Sequence, residues 1–267
     1  MGRALELITG FVTAPSTTFT PWTLASGNSL TIRNAALDSL IQLLQAWAKN
    51  QTAGTLRIRS PKLHDNVQGL RLDAASSDVK PLLPDRFMQK LIAQDTLVVE
   101  QTGSATSGDI ESGAMLIYHA DLPGTDARLL TADEVMERMV NLLTVENTLA
   151  LGTAGGYSGE EAIDAEFDLL KANTDYAILG YLVDVECTSV RWRSSDFGNL
   201  GVGGPGDDLG RAYTRSWFME LSMKHGLALV PVFNSANKGN TLVDGAQDEN
   251  GTDVTLTTIL GELRPAA

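Results

Sequence analysis

The chain predicts a mainly β protein with a few helices, built as two tandem β-sandwich or jelly-roll modules. Each module is expected to carry one packed helix, and a helical connector joins them. Three observations predict this: landmarks that recur along the chain, short apolar and β-branched runs bounded by turn residues, and an amphipathic stretch inside each repeat.

The repeat is read first. Ile8-Thr9-Gly10-Phe11-Val12 matches Ile178-Leu179-Gly180-Tyr181-Leu182 at an offset of 170. The same offset carries Trp22 onto Trp192 and Trp47 onto Trp217. Gly27-Asn28 falls near Gly198-Asn199, and Gly54 falls near Gly226. Later, Thr96-Leu97-Val98 resembles Thr241-Leu242-Val243, and Asp121-Leu122 resembles Glu262-Leu263. The chain has only 4 tryptophans, so two pairs at one spacing argue for duplication rather than chance. The modules are then 1–155 and 156–267, the second shorter, with an insert in the first at about 78–95 that holds Pro81 and Pro84.

Each copy opens with apolar strand signals, at Leu5–Thr13 and Tyr176–Val185, followed by a strand around a tryptophan, at Phe19–Leu24 and Thr188–Arg193. A helix is predicted over Asn34–Lys49, because Leu37, Leu40, Ile41, Leu44 and Trp47 follow helical spacing and Asn34 suits an N-cap. Its counterpart runs over Asp207–His225, with Leu209, Tyr213, Trp217 and Leu221 inward, Asp207 and Asp208 at the positive end and Gly226 as C-cap. Strands then follow at Thr55–Arg59, Gln68–Leu72, Thr96–Gln101 and Ala114–His119, and in the second copy at Leu227–Phe233, Thr241–Val243 and Val254–Leu260. The connector reads as a helix over Thr131–Leu143 with Thr131 and Glu134 as a capping box, a flexible loop at Gly152–Gly156, and a second helix over Glu160–Lys171.

Composition bounds the function. Thirty-three acidic against 20 basic residues give a net charge of −13, which disfavours a surface devoted to nucleic acid. Arg57, Arg59 and Lys62 are the densest basic group and read more simply as a solvated strand face. One cysteine, Cys187, excludes an internal disulfide and sits in an apolar stretch where it suits packing. Glu6 interrupts any leader-like apolar run at the start, and no run approaches the roughly 20 residues of a membrane-spanning helix. A soluble protein made in the cytoplasm is expected.

Candidate chemistry is sparse. His64, His119 and His225 are scattered, and His64-Asp65 has no nucleophile elbow beside it. Gly201-Val202-Gly203-Gly204-Pro205-Gly206 matches a dinucleotide fingerprint, but Pro205 lacks an N–H and Asp207 and Asp208 would repel phosphate, so a flexible loop is expected. Asp248, Asn250 and Asp253 are a weak calcium candidate in an oxygen-rich stretch that also reads as an Asn250-Gly251 turn. The expectation is no catalytic residue, no cofactor and no enzyme activity.

With the paired tryptophans, the helix inside each repeat and the closing strands Leu227–Phe233 and Val254–Leu260 in view, the pattern resembles the double jelly-roll major capsid proteins of tailless icosahedral DNA viruses. The resemblance is architectural and covers most of the chain. It implies a homotrimer that tiles a shell, other virion proteins as further partners, no sequence-specific nucleic-acid binding, and a place in the virion after synthesis in the host cytoplasm. The insert Pro81–Leu91 and the loop Gly198–Gly206 become candidate contact segments. Two further readings are a virion accessory protein (spike, tail or cement) and an enzyme or sugar-binding protein on a duplicated β scaffold.

Overall fold

The computed structural model describes residues 2–33, 40–63, 67–76, 79–152, 154–166, 168–207, 212–247 and 252–265. Strands dominate, and their pairing divides the chain between Leu122 and Leu129, not near residue 155.

The first module holds β1 (Gly2–Thr13), β2 (Thr20–Pro21), β3 (Thr23–Leu24), β4 (Ile41–Lys49), β5 (Gly54–Arg59) and β6 (Leu70–Ala74). It continues with β7 (Lys80–Pro81), β8 (Gln89–Leu91), β9 (Val98–Gln101) and β10 (Ile110–Leu122). One sheet runs β3-β1-β10-β4-β7, with β8 also on β4; the other runs β2-β9-β5-β6. Treating β2/β3 and β7/β8 as the divided second and sixth strands, the two sheets have the orders 1-8-3-6 and 2-7-4-5.

The second module starts with β11 (Leu129–Leu130), α1 (Ala132–Arg138), β12 (Met139–Ala150) and β13 (Tyr157–Ala162). Then come β14 (Asp175–Val183), β15 (Cys187–Arg193), β16 (Gly201–Gly206), α2 (Trp217–His225), β17 (Val230–Asn234), β18 (Leu242–Ala246) and β19 (Asp253–Leu263). Its sheets run β11-β17-β14-β19-β12 and β13-β18-β15-β16. Counted from β12, these are again 1-8-3-6 and 2-7-4-5, all antiparallel. Both modules therefore share one jelly-roll-like connectivity of eight strands.

The four sheets stack in layers, and the alternation of side chains shows how. On β1, β10 and β4, Ile8, Val12, Met115, Ile117, Ile41 and Leu43 point into the first module's own core. Their alternates Leu5, Leu7, Leu116, Tyr118, Leu44 and Trp47 join the core of the second module. The 1-8-3-6 sheet of module one is thus buried on both faces and lies on the 2-7-4-5 sheet of module two.

Several sequence expectations change here. The stripe read as a helix over Asn34–Lys49 is strand β4 from Ile41 onward, and residues 34–39, including the proposed cap Asn34, lie outside the described residues. β4 is covered on both faces and its register shifts near Leu44, so apolar residues stand on both sides and Ile41, Leu44 and Trp47 also satisfy helical spacing. The capping box at Thr131 and Glu134 is present, but α1 stops at Arg138. The chain then alternates, with Val145, Asn147 and Leu149 inward, as the first strand of module two. The expected helix over Glu160–Lys171 is instead the end of β13 followed by turns. The expected helix over Asp207–His225 is α2, which begins at Trp217; Asp208 and Leu209 lie outside the described residues.

The supposed insert at 78–95 is the sixth strand of module one, where β7 and β8 pair with β4 and Leu83 and Leu91 are buried. Its counterpart in module two is β17, preceded by α2.

Candidate functional site

The region that both modules build together is the seam between their facing sheets, and small and hydroxyl side chains let it close. Module two presents β16, whose glycines allow near contact of backbones. A Cβ on Gly203 would lie 2.2 Å from the Val190 carbonyl oxygen and 2.7 Å from Leu7 Cδ2 of module one. A Cβ on Gly204 would lie 2.2 Å from the Tyr181 hydroxyl oxygen. Of the expected glycine-rich loop, Gly201–Gly206 is therefore a strand at the seam, buried from Val202 onward, and only the preceding turn reaches the surface, at Asn199.

Hydrogen bonds cross the seam at each level. The Trp47 indole N–H donates to the Thr188 carbonyl at 2.8 Å. Ser112 and Thr188 hydroxyls lie 2.6 Å apart, and the Thr9 hydroxyl meets Tyr157 at 2.5 Å and Ser189 at 3.3 Å. Helix α2 closes one end: Trp217 meets Trp47 edge to face with ring centres 6.0 Å apart. Tyr213 donates to the Val79 carbonyl across the modules.

At another margin of the seam lies a cleft of about 410 Å³, walled by Glu6, Asn28 and Arg33 of module one and by Tyr157, Arg191 and Asp244 of module two. Arg191 binds Asp244 through two hydrogen bonds, at 2.9 and 2.6 Å, and its guanidinium lies 3.4 Å over the Tyr157 ring. Arg193 pairs with Glu160 and approaches Asp244 at 3.5 Å. Arg33 donates to Glu6 at 2.8 Å, and the His119 ring lies 3.1 Å from the other Glu6 oxygen. Burial pushes the Glu6 carboxyl up, but the hydrogen bonds and charges of His119 and Arg33 outweigh it and hold it below the ordinary glutamate value. Burial pushes the Tyr157 hydroxyl above the ordinary tyrosine value. The acids and cations named here pair with one another along the wall, while the buried Nδ1 of His119 has no hydrogen-bond partner among the described residues.

The sequence candidates scatter. His119 is buried on β10 beside Glu6, and His225 ends α2, where burial and then the charge of Lys224 keep its pKa below the ordinary histidine value. His64 and Asp65 lie outside the described residues, as do Asp248 and Asn250 of the calcium candidate. Asp253 is exposed at the start of β19. Among the described residues, no group of three His, Cys, Asp or Glu could hold a metal. Cys187 is fully buried. Arg57 and Arg59 both bind Glu100, and Arg57 also stacks on Phe19, which accounts for the basic group on that strand.

The repeat landmarks are not brought together as equivalents. Trp22 lies between β2 and β3, while Trp192 lies on β15 in the core of module two. Trp47 is on a strand and Trp217 on a helix, though the two touch. Gly54 opens β5, whereas Gly226 is a left-handed C-cap with φ +65°. The true correspondences are the later ones: Thr96–Val98 and Thr241–Val243 lead into the seventh strand of each module, and Leu122 and Leu263 end the eighth. Sequence reasoning missed Arg191, Asp244 and Tyr157. A charged residue inside an apolar run, as Arg191 is between Val190 and Trp192, was the signal available.

No family model and no curated protein matches the chain. Among solved structures, it is similar to the PBSX exported protein XepA at 12% identity and a TM-score of 0.27, covering 96% of this chain and 86% of that one. It is also similar to the major capsid protein P2 of bacteriophage PM2 at 8% identity and a TM-score of 0.20, covering 99% of each. Likeness at this level carries no argument about function, and the strand order is read from this chain alone.

Proposed function

We propose that this protein is a structural component of a virus particle, and specifically a major capsid protein that trimerises and tiles an icosahedral shell. One observation carries the reading: two jelly-roll-like modules of identical strand order, stacked through a seam that buries one sheet on both faces. Three such chains present six similar lobes, so a trimer has a near-hexagonal outline that packs against its own kind. The paired cleft network fits a scaffold with no enzymatic role and no cofactor. On this reading the protein is made in the host cytoplasm and resides in the virion beside other virion proteins. Light scattering with negative-stain imaging of the purified protein tests it. Trimers that form hexagonal arrays or closed shells are expected. Discrete oligomers that never tile would favour an accessory spike, tail or cement protein, and a monomer at every salt and concentration would overturn the assembly reading.

A further inference from the structure

We infer that copies of this chain join head to tail, through the β7/β8 edge of one copy and the α1/β12 edge of the next. This deepens the capsid reading and rests on its premise of self-association.

Each 1-8-3-6 sheet has one edge extended by a short strand, β3 (half of the divided second strand) on β1 and β11 on β17. Among the described residues, the opposite edges have no partner strand: β7 and β8 in module one, β12 in module two. Exposed apolar side chains concentrate at those two places. Phe87 (66% exposed) stands between β7 and β8, and Ile92 and Leu40 (42% and 37%) lie at the end of the β8–β4 pair. On the other edge, Met136 (62%) lies on α1, and Val140 and Leu142 (53% and 59%) lie on the outward face of β12. An unpaired strand edge bearing apolar side chains invites pairing with another chain.

Charge chooses between the possible pairings. In a chain of net charge −13, the β7/β8 edge is locally basic, with exposed Arg86 and Lys90, while its Asp85 binds Lys224. The α1/β12 edge is acidic, with exposed Asp133, Glu137 and Glu146, while its Arg138 is turned to the Arg264 carbonyl and Asp175. Like edges repel, so a two-fold contact of either edge with itself is disfavoured. Unlike edges attract and bring the two apolar strips together. Such a heterologous contact leaves the joined pair with one free edge of each kind, so it propagates until a ring closes.

The test uses Phe87→Asp and Leu142→Asp, made singly in the full chain, with sedimentation velocity as the readout and melting temperature as the control for folding. Both side chains are exposed, so both variants are expected to melt like the wild type. Each alone is expected to be monomeric at ten times the concentration at which the wild type assembles. Mixed in equal amounts, they retain one good edge each and are expected to form dimers that grow no further. A Lys90→Glu/Glu146→Lys double variant is expected to regain assembly that either single change weakens. The contact is overturned if the single variants assemble like wild type, if the mixture stays monomeric, or if either variant alone dimerises. Failure of the capsid reading looks different: rings then form by this contact and respond to these variants but do not tile.

Discussion

Module one and module two share a strand order but not a core. The private core of module one is almost wholly aliphatic, with Trp22 its one aromatic among buried residues. The core of module two is built on Tyr176, Tyr181, Trp192, Phe197, Phe218 and Phe233, and it extends without a break onto the far face of module one's sheet. Tyr181 and Trp192 pack with ring centres 5.2 Å apart, and Trp192 and Phe218 at 6.0 Å. The difference teaches that one connectivity tolerates two packing solutions, and that module two carries the interface on which module one is laid.

The sharpest way to break this comparison is Trp47→Ala. Trp47 belongs to a strand of module one but packs in the aromatic core and donates across the seam. Its loss should cost about 3–5 kcal/mol, the usual cost of truncating a buried aromatic. Denaturant unfolding should remain a single transition at a lower midpoint. Two separate transitions in the wild type would show that the modules are independent.

A comparable loss, about 3 kcal/mol, is expected for Arg191→Met, because the buried Asp244 loses both of its arginine hydrogen bonds and keeps only Arg193 at 3.5 Å. The double variant Arg191→Met/Asp244→Leu should recover most of it. Equal losses in the single and double variants would mean that packing against Tyr157 matters more than the charge.

Acid should weaken the fold next. Glu6 at the seam margin, Glu100 on β9 and Asp175 on β14 all have pKa values held below their ordinary ones: burial raises each, and arginine partners, with His119 for Glu6, more than reverse it. Groups depressed in the folded state contribute stability that is full above the unfolded pKa and lost as pH falls through the folded one. Midpoints should therefore fall below about pH 4.5, near the ordinary value for glutamate. Burial raises Glu111 and Glu186, giving the opposite sign and softening the decline. Glu6→Gln should flatten the acid limb; an unchanged slope would remove Glu6 from the account.

The smallest effect is expected from Lys224→Ala, which removes the exposed pair between α2 and Asp85. It should shift stability by no more than about 0.5 kcal/mol in a thermal melt. A larger loss would show that α2 is held to module one by this pair rather than by the Trp217–Trp47 contact.

The strands of this fold were legible wherever one face of a sheet differed from the other or β-branched residues clustered, as at Leu5–Thr13, Thr55–Arg59 and Val254–Leu260. Legibility failed where burial erased the alternation. β4 mimics a helix because Ile41, Leu43, Leu44 and Trp47 are all enclosed. β16 mimics a loop because its glycines answer to a neighbour 2–3 Å from each missing Cβ, a neighbour far away in sequence. The tryptophan spacing misled for a related reason. The third strands of the modules begin at Ile41 and Asp175, so structural equivalence has a much shorter offset than the tryptophans suggest. The cleft was not legible, because its walls come from separate stretches of chain around Glu6, Asn28, Tyr157, Arg191, Asn199 and Asp244.

The doubly covered sheet of module one has a consequence for amide hydrogen exchange. β10 runs 13 residues between β1 and β4 with other layers above and below, so nothing short of opening the whole stack exposes Ala114–Tyr118 to solvent. Those amides should exchange only at the rate of global unfolding, and in a digest they would keep their protons after every edge strand has taken up deuterium. The slowest peptide in the molecule would then come from the last strand of module one, and its lifetime would clock the opening of both modules at once.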